Sequence, residues 1–74
     1  RTDPGPCRVE VERSKATLQR AQATRLLAQQ QSDRVEQLRE RNVASPQQLD
    51  SAVATLAQAD ADVASARAGL AAAE

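Results

Sequence analysis

Few residues in this 74-residue chain have the chemistry of a reaction site. There is no histidine, so the commonest general base is missing. The single cysteine, Cys7, has no candidate base, and Arg8 beside it is too little to activate a thiolate. The thiol reads as structural or incidental. Asp60 and Asp62 are two positions apart. On a helix their side chains diverge by about 200°, so they form no carboxylate pair and read as solvated surface charges. Two glycines are too few for a phosphate-cradling loop. One cysteine without histidine excludes an internal disulfide and an ordinary zinc site. The chain therefore reads as a non-enzyme that needs no cofactor. Binding or scaffolding remains, and both depend on the elements that present the side chains.

Those elements are helices. Alanine, glutamine, arginine and leucine dominate, and all are strong helix formers. Phe, Tyr and Trp are absent. A compact globule without these bulky fillers is hard to build, so a thin, elongated shape fits better. Ten basic and ten acidic residues cancel, which gives nucleic acid or an anionic membrane no general attraction. The charge is unevenly spread. Residues 1–44 carry nine Arg or Lys against six Asp or Glu, a net of +3. Residues 45–74 carry Arg67 against Asp50, Asp60, Asp62 and Glu74, a net of −3. Segments of opposite sign are suited to lying side by side. No stretch is long and apolar enough for a signal peptide or a membrane span.

Two breaks divide the chain. Residues 1–6 hold two of the three prolines and predict an extended lead-in, because proline lacks an amide donor and clashes with a preceding turn. The second break is Asn42-Val43-Ala44-Ser45-Pro46. Serine suits an N-cap, proline suits the first helical position, and Gln48 completes a Ser-x-x-Gln capping box. Asn42 suits a left-handed stop for the preceding helix. The spacing predicts an all-α, antiparallel two-helix coiled-coil hairpin: a lead-in over 1–7, a helix over 8–42, a tip over 43–45 and a helix over 46–74. At 1.5 Å per residue the rod would be roughly 45–50 Å long.

The second helix has the clearest pattern. Leu49, Leu56, Val63 and Leu70 recur every seven residues, and Ala52, Ala59, Ala66 and Ala73 follow each by three. This is a coiled-coil seam with a large residue at one position and alanine at the other. The first helix is less regular. Val11, Ser14, Leu18, Ala21, Ala28, Ser32 and Val35 follow a seam, but Arg25 stands where an apolar residue belongs, flanked by Leu26 and Leu27. Either the helix makes contacts on more than one face, or the packing adjusts locally. So thin a seam predicts a marginal hairpin that leans on a host domain or on neighbouring copies.

The turn carries the most specific signal. Arg34, then Leu38 four residues on, then Ser45 seven after that, resembles the tip motif of periplasmic adaptor subunits. These are also called membrane fusion proteins, and they serve tripartite efflux pumps. Ser45-Pro46-Gln47-Gln48-Leu49-Asp50 is similar to the start of that family's returning helix. Thr2-Asp3-Pro4-Gly5-Pro6-Cys7 resembles the family's Ile-Asp-Pro-x-Pro-Tyr entry from a lipoyl-like domain. Threonine here replaces the aliphatic residue and Cys7 the tyrosine. The resemblance covers essentially the whole chain, as a fragment of a longer protein.

The resemblance implies a function. Such hairpins project through the periplasm, pack side by side and meet a TolC-like outer-membrane channel with their tips. Domains absent here hold an inner-membrane efflux transporter and the membrane anchor. The short hairpin resembles those serving resistance-nodulation-division pumps. Arg34, Leu38 and Ser45 become the channel-docking residues. Leu18, Ala21, Ala28, Val35, Leu49, Ala52, Leu56, Ala59, Val63, Ala66 and Leu70 form the seam. Each tip residue also has a plain structural reading: Ser45 as an N-cap, Leu38 as a plug for the hairpin end, Arg34 as a solvated charge. Two other functions stay open: a structural coiled-coil spacer, and a secretion adaptor serving an ATP-driven transporter.

Overall fold

The computed structural model describes residues 5–74, with side chains from Arg8 onward. Two helices, α1 (Gly5–Glu40) and α2 (Pro46–Ala73), pack against each other as an antiparallel hairpin. The rod measures 63 × 13 × 10 Å. It is longer than two equal helices would give. α1 has 36 residues and α2 has 28, so the start of α1 runs past the end of its partner.

α1 begins at Gly5, three residues earlier than the sequence predicts, and ends at Glu40 rather than at residue 42. The expected extended lead-in is thus corrected over 5–7. Pro6 is compatible with helix there because the first-turn amides have no intrahelical acceptor, so the missing donor costs nothing. The rest of the lead-in, 1–4, lies outside the described residues. α2 starts at Pro46 as expected and stops one residue short of the expected end. Glu74 is its C-cap, and the Glu74 amide donates to the Leu70 carbonyl at 3.0 Å.

The core is one line of small residues. Ala28, Val35, Ala44, Ala52, Ala59 and Val63 are buried, with Ser32 beside them. No side chain among the described residues is completely enclosed. Leu18, Ala21, Leu49, Leu56, Ala66 and Leu70 are half-buried along the same line. Alanine at alternate seam positions lets the helix backbones come close, and the leucines then cover the contact from the sides.

Arg25 occupies its seam position without entering the core. It forms an ion pair with Asp60 of α2, and both side chains stay about half exposed. Such a pair contributes no more than about 1 kcal/mol. Leu26 and Leu27 remain 57% and 66% exposed. The irregularity in α1 is therefore absorbed at Arg25, and within one hairpin these leucines face solvent.

The alanine line gives a direct test. Ala59, only 3% exposed, has no room for a larger side chain. Ala59→Leu should destabilise the hairpin by about 1–3 kcal/mol. Ala61→Leu, at an exposed position of the same helix, should change stability by less than about 0.5 kcal/mol. Thermal melts followed by circular dichroism at matched concentration check both.

Candidate functional site

The tip is built from hydrogen bonds that close two helix ends within five residues, Arg41 to Ser45. Asn42 has φ 62°, the left-handed conformation that asparagine tolerates better than most residues. That geometry turns the next amides back onto α1. The Val43 amide donates to the Leu38 carbonyl at 2.8 Å, and the Asn42 amide donates to the Arg39 carbonyl at 2.9 Å. The Ala44 amide also reaches the Leu38 carbonyl, at 3.3 Å.

The start of α2 is closed reciprocally. Ser45 is extended, with φ −80° and ψ 158°. Its Oγ accepts from the Gln48 amide at 3.1 Å, while Gln48 Oε1 accepts from the Ser45 amide at 2.7 Å. Pro46 follows in the first helical turn, where it has no donor to waste. Beneath the turn, Val35, Ala44 and Ala52 form a buried cluster, with Leu38 and Leu49 packed against it.

The three tip residues occupy different environments. Val35 is buried in the seam, so Arg34 and Glu36 on either side of it must lie on opposite flanks of α1. Arg34 is exposed, and Nη1 donates to Gln31 Oε1 at 3.3 Å. No carboxylate among the described residues pairs with it. Arg34 borders a recess with Leu27, Ala28, Gln31 and Thr55. Ser45 borders an adjoining recess that shares Ala28, Gln31 and Thr55. Arg34 and Ser45 therefore open onto one face of the rod. Leu38 is half-buried against the tip cluster and borders neither recess.

The family model for the RND MFP, alpha-helical hairpin domain matches residues 10–74. The chain belongs to that family. It is the helical hairpin of a membrane fusion protein, the periplasmic adaptor of a tripartite efflux assembly. Adaptors of this kind work between an outer-membrane channel and an inner-membrane transporter, and their hairpin is structural rather than catalytic. No helix among the described residues is long and apolar enough to cross a membrane. No curated protein and no solved structure matches the chain.

For an adaptor hairpin, the face that carries Arg34 and Ser45 has a further property that sequence reasoning missed. Between Thr24 and Ser45 it is lined by amides and hydroxyls over an alanine floor: Gln31, Gln48, Ser51 and Thr55 above Ala28 and Ala52. A signal existed, since Gln48 and Thr55 share a seven-residue phase on α2 and Thr24 and Gln31 share one on α1. The sequence alone does not say that these two rows face the same way.

The structural part of each tip residue is measurable apart from any partner. Ser45→Ala should cost about 1 kcal/mol, and Ser45→Asp should keep the cap, because both oxygens serve the same amide. Asn42→Val should cost about 1–2 kcal/mol, since a β-branched residue resists the left-handed conformation. Denaturation midpoints of the three variants check this ranking.

Proposed function

We propose that this hairpin docks by its tip on the coiled-coil periplasmic end of a TolC-like outer-membrane channel, through Arg34, Leu38 and Ser45. In this reading the adaptor links that channel to an inner-membrane drug efflux transporter of the resistance-nodulation-division type. Several copies stand side by side, and the parent protein is held at the inner membrane by a segment outside this chain. A lipoyl-like domain precedes the hairpin.

The observation that carries the reading is the state of Arg34. It stands near the tip, exposed, with only a glutamine for company, on the same face as Ser45. A guanidinium in that state offers a planar fork of donors to carboxylates and carbonyls at the ends of another protein's helices. Ser45 is small and fixed by its cap, so another chain can approach closely there. Leu38 contributes the part of its side chain that the tip cluster leaves open. Each contact is weak, but a ring of copies multiplies them through effective concentration.

Arg34→Asp tests the reading in the full-length adaptor. The substitution touches neither cap nor core, so stability should change by less than about 0.5 kcal/mol. Efflux and cross-linking to the channel should both be lost while the protein stays folded and correctly located. Wild-type efflux and cross-linking would leave the hairpin as a structural spacer.

A further inference from the structure

One side chain at the tip is left over once the turn has been closed. With Asn42 in the left-handed conformation, the Val43 amide bonds the Leu38 carbonyl and the Asn42 amide bonds the Arg39 carbonyl. This is the Schellman arrangement. In it, the residue after the left-handed one commonly lays an apolar side chain on the residue whose carbonyl it bonds. For Val43 that residue is Leu38, and a valine used up in this way would be covered. Val43 is instead 68% exposed, above Leu27 at 66% and above every other large apolar side chain among the described residues.

Its place in the fold sets it apart from the other exposed apolar side chains. Val9, Leu26, Leu27 and Val53 lie on helices, along the sides of the rod. Val43 lies between α1 and α2, in the turn, where a partner meets it only at the end of the rod. The surroundings are polar and exposed: Arg41 and Asn42 come just before it, and Ser45 two residues after. From Arg34 to Ser45 three arginines outnumber two glutamates. Neither Arg34 nor Arg41 has a carboxylate partner among the described residues.

We infer that Val43 is the apolar anchor of the docking contact, seated in an apolar slot at the channel's periplasmic end whose rim carries carboxylates. This rests on the docking reading above and adds to it a residue and the chemistry of the surface that residue meets. Interfaces draw most of their energy from a few apolar anchors ringed by polar groups that exclude water. Val43 has that setting, and it is rigid. Its amide is held at 2.8 Å, and a β-branched side chain has little rotamer freedom to lose on binding. An acidic rim complements Arg34 and Arg41 and steers the tip towards the slot.

Substitutions in the full-length adaptor test this. A benzophenone on Gln47→Cys, in a Cys7→Ser background, reports docking as the yield of cross-link to the outer-membrane channel. Val43→Ser should lower that yield by about five- to tenfold, as uncovering most of one valine side chain implies. Val43→Ile should keep it. Val53→Ser, which removes an exposed valine from the side of α2, should leave it unchanged. Val43→Lys should lose less than Val43→Glu, because a carboxylate meets a rim of its own sign. The melting midpoint should be the same in all five variants. Wild-type yield in Val43→Ser beside a loss in Arg34→Asp would overturn the anchor and leave docking through Arg34 standing. Wild-type yield in both would overturn the docking reading and the anchor with it. A melting midpoint that falls in Val43→Ser as far as in Asn42→Val would make the valine a strut of the turn, which also overturns the inference. A Val43→Glu yield at or above that of Val43→Lys would overturn the acidic rim.

Discussion

Everything at the working end of this molecule depends on satisfying two helix ends in one place. A helix terminates with unbonded carbonyls, and the next begins with unbonded amides. Here both sets meet within five residues. The Leu38 carbonyl takes two amides, and Ser45 and Gln48 exchange a pair of hydrogen bonds. These bonds leave the turn no need of outside partners. They also fix where Arg34 and Ser45 stand relative to each other. The tip is thus preorganised by its own hydrogen bonds.

The rest of the hairpin is held more lightly. Its core is a file of alanines and valines, and among the described residues a single exposed ion pair spans the helices. Arg25 reaches Asp60 from a position where an apolar side chain would have entered the seam. The helices are long and the contact between them narrow, so stability is spread thinly along the rod. Large side chains at Leu26, Leu27 and Val53 stay exposed, because so narrow a contact covers only one stripe of each helix.

How much of this was legible beforehand depended on range. The capping box and the left-handed stop at Asn42 are local, and both were readable from neighbours in the chain. The α2 seam was readable because its period is strict. The start of α1 is less legible, because a proline marks a barrier inside a helix but is tolerated in its first turn, where Pro6 stands. The fate of Arg25 was unreadable, since its partner Asp60 is 35 residues away and nothing local signals it. The recess beside Arg34 was unreadable for a related reason. Gln31 and Thr55 share it only once the two helices have a fixed rotation, and buried Val35 and Ala52 set that rotation.

The strict period of α2 has a consequence for evolution. Each seven-residue unit repeats the same seam, so a unit added to both helices restores every contact below the insertion. Such a step lengthens the rod by about 10.5 Å. It leaves the turn untouched, and a left-handed supercoil absorbs the rotation of about 20° that seven residues introduce. Reach and tip chemistry are thereby independent variables. A lineage can change its span in whole steps and keep the same turn at the end.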